Sequence, residues 1–293
     1  MDTQSKTGKT KNRKLLRIIL AVLLGICLAV FGVSLYMIIS YYHNANEEQS
    51  VIDDLKEIAR AASESAAAEG ESAEEAATLP GGEGKGSGAV KGDASDDGSG
   101  SGTGSDFVSQ YAVFHDINPD YIGWLYMEGT LIDYPVMYSP DDPEYYSRRT
   151  IYGVDSRGGT PFIGPGATID DDCFYIYGHN MSSGLFFGTL NYYMEEDFGL
   201  SHPTFTFETL TERRTYEIFA VLKTMVYYSG FRYYAYGGSL SEDEFDELVT
   251  NSLEQSMYDF GVRPEYGEQI LILSTCSYHI STGRFAVLAR RIE

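Results

Sequence analysis

The chain has 293 residues, a formal net charge of −22, three cysteines and five histidines. This excess of acid excludes the basic surface that nucleic-acid binding requires, because it would repel phosphates. Three cysteines are too few for a secreted disulfide scaffold, and one of them, Cys27, lies in an apolar run near the N-terminus. The length allows one large domain or two small ones.

The N-terminus has the composition of a membrane anchor. Residues 1–17 carry six basic side chains against one acid, and residues 18–39 carry no charge. A helix needs roughly 20 residues to cross the hydrocarbon core, whereas the apolar region of a cleaved signal peptide is about 7–15 residues long. Tyr41 and Tyr42 and then acidic residues follow the run. We therefore predict a cytoplasmic tip at 1–17, an uncleaved transmembrane helix at 18–40 and an extracellular remainder.

Residues 41–105 have the composition of a spacer. The first half is rich in Ala and Glu and could form a marginal helix. Residues 81–104 are mainly Gly, Ser and Asp, which cannot bury enough apolar surface to offset the entropy of ordering. The spacer is predicted to act as an acidic, flexible tether.

Residues 106–293 read as a mainly β domain. Phe107, Val108, Tyr111 and Phe114 share one side of a short helix that should end at Asn118. Strands are predicted at 123–127, 131–137, 160–163, 173–177, 204–207, 215–226, 269–274 and 284–290. Many short strands separated by turn residues indicate a sandwich or a barrel.

One predicted helix interrupts this series of strands. Ser241 and Glu244 have the spacing of a capping box, and Phe245, Leu248 and Leu253 follow at helical intervals. The helix is therefore expected just before the last two strands.

Cys276 is the candidate nucleophile. It follows the apolar run 270–273 and the polar residues Ser274 and Thr275, so its thiol should lie at the end of a buried strand. On residue type alone, an inert buried cysteine is the commoner state. A thiol becomes a nucleophile only as the thiolate, which needs an imidazole or a cation nearby.

His179 and Arg284 are the predicted partners of this thiol. His179 follows the strand 173–177 through Gly178, and a glycine there permits a sharp exit from the strand. Arg284 opens the last strand, eight residues after Cys276, so antiparallel pairing would bring the two together. A guanidinium stays charged and can stabilise an oxyanion.

The remaining histidines have simpler explanations as boundary, helix-end, turn and loop residues: His43, His115, His202 and His279.

Cys173 and His179 are six residues apart, which is roughly 20 Å along a strand. A Cys276 beside His179 therefore cannot form a disulfide with Cys173, which we expect in the core. The run of aspartates at 170–172 lacks the spaced ligands of a calcium loop and predicts a solvated turn. No metal or cofactor is expected.

From about residue 106 to 293 the chain resembles the class B sortases. The matching stretches are Ile117-Asn118-Pro119-Asp120, Ile122-Gly123-Trp124, Ile132-Asp133-Tyr134-Pro135-Val136, Tyr177-Gly178-His179-Asn180-Met181, Tyr216-Glu217-Ile218-Phe219, Leu273-Ser274-Thr275-Cys276 and Gly283-Arg284-Phe285. They cover nearly the whole domain in the family's order. The resemblance implies a closed, mainly antiparallel eight-stranded barrel with an N-terminal helix and a helix inserted before the last two strands.

The resemblance also implies a reaction. Cys276 would attack the Thr–Gly or similar bond of a sorting signal near the C-terminus of an exported protein. His179 would act as the general acid, and Arg284 would position the substrate and stabilise the oxyanion. Ser274 and Thr275 match positions that line the family's substrate groove. An amine of a cell-wall precursor or a pilin would then resolve the thioester, without metal or cofactor.

One segment departs from the family's pattern, and two other functions compete with this interpretation. Residues 146–151 stand where class B sortases often have a Tyr-Leu-Asn-His-Asp-Phe-like segment. An L,D-transpeptidase would have an arginine two residues after the cysteine, where this chain has Tyr278. A non-catalytic wall-binding module would have no reason to place a cysteine, a histidine and an arginine at three neighbouring strand ends.

Overall fold

The computed structural model describes residues 4–77, 109–226, 230–277 and 282–293. Residues 78–105 of the predicted spacer lie outside the described ranges, as do Phe107, Val108, Tyr278 and His279. The chain divides into two compact units, Met1–Val51 and Ile52–Glu293.

The first unit is helical, and its residues 18–39 carry no charge. It belongs to the helix α1 (Gln4–Ala77), whose large apolar side chains from Ile19 to Ile39 are all exposed. The helix is long and apolar enough to cross a membrane. Such a length of uncovered apolar surface suits a lipid environment, so the predicted N-terminal apolar helix is present and could be a membrane anchor.

The second unit begins with a helical stretch of α1 that has one buried face. Ile52, Leu55 and Ala59 are buried at intervals of three and four residues, which places them on the same side of a helix. Beside them, Lys56 Nζ lies 2.9 Å from Asp133 Oδ2. Within the predicted spacer, residues 52–62 thus form an amphipathic helix that packs on the folded domain.

A closed β-barrel forms the body of this unit. A short helix, α2 (Val113–Ile117), ends at Asn118 and leads into the first strand. The strands are β1 (Tyr121–Tyr126), β2 (Asp133–Met137), β3 (Phe162–Ile163), β4 (Cys173–Tyr177), β5 (Thr204–Thr209), β6 (Arg213–Met225), β7 (Ile270–Cys276) and β8 (Gly283–Arg291). They close in the order β1-β2-β3-β4-β7-β8-β6-β5. The predicted strands and the predicted barrel are confirmed, with bounds that differ by a few residues.

Two further helices follow later strands. α3 (Glu196–Ser201), which the sequence did not predict, precedes β5, and α4 (Glu242–Gln255) precedes β7. α4 begins with the predicted capping box between Ser241 and Glu244. The expected helix before the last two strands is therefore confirmed.

β7 is buried on both of its faces, and this explains its continuous apolar sequence. Leu271 and Leu273 belong to the cluster inside the barrel. Ile270 and Ile272 point the other way, into a second cluster that contains Phe245 of α4. Because α4 covers the outer face, the strand is fixed from both sides and its C-terminal end is held in place.

The strand pairings bring three strand ends together. β4 runs parallel to β7, with Tyr177 opposite Ser274. β8 runs antiparallel to β7, with Arg284 opposite Cys276. The end of β4, the end of β7 and the start of β8 therefore lie at the same rim of the barrel.

Candidate active site

Cys276 and Arg284 are in direct contact at this rim. Arg284 Nη1 lies 3.5 Å from Cys276 Sγ and also donates to the carbonyl of Gly283 at 3.1 Å. The thiol is free and half-buried. A guanidinium beside the sulfur can bind the negative oxygen that forms when the sulfur adds to a carbonyl carbon.

His179 lines the same cavity as these two residues. The cavity has a volume of about 530 Å³. Its other walls come from the turn at 144–148, from Tyr177, Tyr233 and Tyr234, and from Ser274 and Thr275. The structure thus brings all three predicted catalytic residues, and both predicted groove residues, into one concave site.

Three hydrogen bonds join the segment after β4 to the end of β7. The amide of Gly178 donates to the Ser274 carbonyl at 3.2 Å. Thr275 Oγ1 donates to the Gly178 carbonyl at 2.6 Å, and Asn180 Nδ2 donates to the Cys276 carbonyl at 2.7 Å. The residues on both sides of His179 are therefore fixed to the strand that carries the thiol.

Gly178 is required by space rather than by backbone conformation. Its φ lies outside the left-handed region, where the glycines with positive φ are found. A Cβ at this position would meet the ring of Phe187 at 2.7 Å. Phe187 in turn donates its amide to the His179 carbonyl at 3.0 Å. The close approach of this ring is what excludes a side chain at position 178.

The imidazole of His179 is half-buried and held by a main-chain carbonyl. Nε2 lies 2.8 Å from the carbonyl oxygen of Ser147. Burial lowers the pKa of His179 below its ordinary value, and the charge of Arg148 lowers it further, while the bond to Ser147 opposes both. The neutral imidazole is consequently favoured in the resting protein.

Ser274 and Thr275 line the cavity, but their hydroxyls are bound to other protein groups. Ser274 is fully buried and its Oγ lies 2.7 Å from Tyr233 Oη. Burial raises the pKa of Tyr233, which therefore stays a neutral phenol. Sequence reasoning missed Tyr233, and the only signal was the aromatic run 231–236 in the connection that leads to α4.

Cys173 and the aspartates at 170–172 lie outside the cavity and make structural contacts. Cys173 is free and buried in the core as predicted, and burial raises the pKa of its thiol. The aspartate run forms a largely exposed turn as predicted, in which Asp171 accepts the amide of Thr168 and Asp172 accepts the amide of Leu240. Within the described ranges no group of three His, Cys, Asp or Glu side chains could hold a metal ion.

Comparisons with known proteins agree on one family. No family model matches the chain. The curated sortase B of Listeria monocytogenes is 33% identical over 162 residues, which cover 55% of this chain and 64% of that protein. The match therefore spans slightly less than two thirds of the length of this relative.

Solved structures extend the agreement to the fold. A crystal structure of sortase B from Listeria monocytogenes is 31% identical, with a TM-score of 0.54 over 60% of this chain and 97% of that chain. Sortase B from Bacillus anthracis in complex with AAEK1 is 30% identical, with a TM-score of 0.55 over 63% and 85%. The closed barrel, which carries a free cysteine at a strand end, has the fold of the sortases. The chain belongs to the sortase B family.

Proposed function

We propose that this protein cleaves a C-terminal sorting signal of exported proteins and transfers the acyl group to an amine of a cell-wall precursor or a pilin. One observation carries the proposal: Cys276 Sγ lies 3.5 Å from Arg284 Nη1, in a cavity that His179 also lines. Neither an L,D-transpeptidase nor a non-catalytic module is favoured, since the relatives named above are sortases.

In the first half of the reaction the neutral imidazole of His179 takes the thiol proton of Cys276, and the sulfur attacks the carbonyl carbon of the scissile peptide bond. The S–C bond forms as the carbonyl oxygen takes negative charge, which the guanidinium of Arg284 stabilises. The C–N bond then breaks, and the imidazolium of His179 gives its proton to the leaving amine. The product is a thioester on Cys276 and the released C-terminal fragment.

In the second half an amine attacks the thioester carbonyl. The new C–N bond forms, the C–S bond breaks, and His179 takes the proton lost by the amine and passes it to the departing sulfur, which restores the thiol. The oxyanion again binds Arg284. The thioester preserves acyl energy, so an amine can compete with water for the acyl group.

The substrate peptide would lie along the aromatic and polar walls of the cavity. Ser274 and Thr275 form part of this groove, with their hydroxyls directed to protein partners. Ser147 and Arg148 come from the segment that departs from the family's pattern, and both line the cavity. The peptide preference of this protein should therefore depend on that segment.

The orientation in the membrane follows from the charges of the N-terminal segment. Six basic side chains precede the apolar helix and acidic residues follow it. By the positive-inside rule the N-terminus lies in the cytoplasm, and the catalytic unit lies outside, where exported substrates emerge. The protein would be a single-pass membrane protein that acts at the cell surface.

The test is adduct formation by the full chain in lipid nanodiscs. The protein is incubated with peptides that carry sorting-type motifs, with hydroxylamine as the accepting nucleophile, and the products are measured by mass spectrometry. We expect a thioester on Cys276 and a hydroxamate product from the wild type and from Cys173→Ala, but neither from Cys276→Ala. The proposal fails if the wild type yields no adduct with any of these peptides, or if Cys276→Ala yields the same products.

A further inference from the structure

The contact between His179 and Ser147 determines which ring nitrogen carries the proton. His179 Nε2 lies 2.8 Å from the main-chain carbonyl oxygen of Ser147. A carbonyl oxygen can only accept a hydrogen bond, so Nε2 must be the donor. A neutral imidazole has a single N–H, and Nδ1 is therefore the nitrogen with the free lone pair.

The carbonyl of Ser147 belongs to a turn that is fixed from several sides. The turn is the short 3-10 helix Tyr145–Arg148. The Tyr146 hydroxyl donates to Asp120 at 2.8 Å and accepts from Asn118 at 2.8 Å. The Tyr146 carbonyl accepts the amide of Thr160 at 3.0 Å. These bonds leave the Ser147 carbonyl little freedom to move away from the imidazole.

We propose that Ser147 is a positioning residue, whose main-chain carbonyl fixes the tautomer and ring orientation of His179 so that Nδ1 exchanges the proton with the reacting groups. The inference rests on the proposed transpeptidase function. It also gives a role to the segment 146–151, in which this chain departs from its family's pattern. What this segment must supply is a main-chain carbonyl within hydrogen-bond distance of His179. Every residue type has such a carbonyl, so the segment can vary in sequence.

The environment of His179 shows why the imidazole needs the hydrogen bond to the Ser147 carbonyl. Burial and the charge of Arg148 lower the pKa of His179, and the bond to Ser147 is the one contribution that raises it. The charged and titratable groups that share the cavity with the ring are Glu144 and Arg148 of the turn, Tyr177 of β4, Cys276 of β7, Arg284 of β8, and Tyr233 and Tyr234 before α4. Loss of the carbonyl would lower the pKa further and reduce the fraction of imidazolium that can protonate a leaving amine.

Gly159 offers a way to move this carbonyl without changing any group in the cavity. A Cβ on Gly159 would lie 2.6 Å from the Ser147 carbonyl oxygen and 2.5 Å from that of Tyr146. Both contacts are with main chain, so Gly159→Ala must displace the turn. Gly153→Ala is the matched control. Gly153 has a φ of +73°, against +62° for Gly159, but a Cβ there meets nothing closer than the Tyr145 hydroxyl at 3.6 Å. Both variants carry the backbone strain of a positive φ, and only one moves the carbonyl.

The full chain is labelled with nitrogen-15 at its histidines and placed in nanodiscs, and the tautomer of His179 is read from the NMR signals of its ring nitrogens. The signals of His179 are assigned by comparison with His179→Gln. In the wild type and in Gly153→Ala we expect the neutral ring to be protonated at Nε2. In Gly159→Ala we expect a mixture of tautomers, a lower His179 pKa, and a kcat for peptide cleavage reduced at least about tenfold, which is part of the ~100–10,000-fold contribution of general acid–base catalysis.

Two results would overturn the inference. The first is a wild-type ring protonated at Nδ1, and the second is a Gly159→Ala variant that keeps both the wild-type tautomer and the wild-type kcat. If Gly159→Ala does not fold, Tyr146→Phe replaces it, because it removes the hydroxyl that ties the turn to Asp120 and Asn118. No change of tautomer in that variant also overturns the inference. The NMR result stands even if no variant cleaves peptides, an outcome that would refute the proposed function alone.

Discussion

Two buried hydroxyls close to the nucleophile provide a quantitative test of how the site is supported. Tyr233 Oη and Ser274 Oγ lie 2.7 Å apart, and both side chains are almost fully buried. Tyr233→Phe would leave the Ser274 hydroxyl without its partner, and Ser274→Ala would leave the Tyr233 hydroxyl in the same state. The double variant removes both polar groups together.

The expected energies follow from this geometry. A buried polar group left without a hydrogen bond costs about 1–3 kcal/mol, whereas removal of both partners can be nearly neutral. We therefore expect each single variant to lower the free energy of unfolding by about 2 kcal/mol, and the double variant by about 2 kcal/mol or less. The coupling energy is then about 2 kcal/mol, and each single variant should lose roughly 4–8 °C in Tm.

The chain contains a natural probe for this measurement. Trp124 is the only tryptophan, lies in β1, and stacks on Tyr111 and Phe114 with ring centroids 4.4 and 5.2 Å away. Its fluorescence therefore reports the unfolding of the barrel unit. Urea titrations of the full chain in nanodiscs, followed at this residue, give the four free energies of the double-mutant cycle.

Tyr234→Phe is the control for the loss of a phenol hydroxyl. Tyr234 lines the same cavity and is only half-buried. Among the described residues its hydroxyl makes no hydrogen bond to Ser274, so the effects of Tyr234→Phe and Ser274→Ala should add. If the effects of Tyr233→Phe and Ser274→Ala also add, within about 0.5 kcal/mol, the two hydroxyls are not partners and the reasoning is refuted.

Three further predictions concern the imidazole, the strand end and the helix 52–62. Because burial lowers the pKa of His179, the unfolded chain binds its proton first on acidification. Stability should then fall as the pH drops through roughly 6.5, and His179→Gln should weaken this dependence in urea titrations. Asn180→Ala removes the donor to the Cys276 carbonyl. It should cost about 1–2 kcal/mol in unfolding free energy and lower kcat for peptide cleavage more than it changes KM. Leu55→Ala removes a side chain that is 3% exposed and should speed hydrogen exchange across residues 52–62, whereas the exposed Glu57→Ala should not.

Each of these predictions has a clear contrary result. An identical pH dependence of stability in wild type and His179→Gln would show that the imidazole titrates as it does in the unfolded chain. An unchanged kcat in Asn180→Ala would show that its bond to the Cys276 carbonyl does not position the thiol. Equal exchange rates in Leu55→Ala and Glu57→Ala would show that the buried face does not hold the helix on the domain.

The pairing of Cys276 with Arg284 was the most predictable part of the site. An apolar run, a short loop and a second apolar run indicate two antiparallel neighbours, and eight residues of separation place the two side chains opposite each other. The approach of His179 to Cys276 was harder to predict, because 97 residues separate them. Alternation of apolar residues identifies a strand but does not say which strand lies next to it. The ordered match to the class B sortases supplied that information.

The residues that the sequence did not reveal come from irregular segments. Ser147 acts through a main-chain carbonyl, which no residue type encodes. Tyr233 lies in a 3-10 turn, where no periodicity distinguishes a buried ring from an exposed one. The same holds for residues 52–62: the spacing of Ile52 and Leu55 suggested a helix, but its stability depends on a partner surface that is distant in sequence.

The parallel pairing of β4 with β7 has a consequence for the timing of activity. Parallel neighbours need a long connection, and here β5, β6 and α4 all lie between the two strands in sequence. Contacts of such long range form late in folding, because the loop must close before they can compensate its entropy. β7 lies between β4 and β8. Until it takes that place beside β4, Cys276 is remote from His179, whereas Arg284 can already lie near it through the local pairing of β7 with β8. The cysteine and the histidine of the site are thus brought together only when the long-range pairing of β4 with β7 forms.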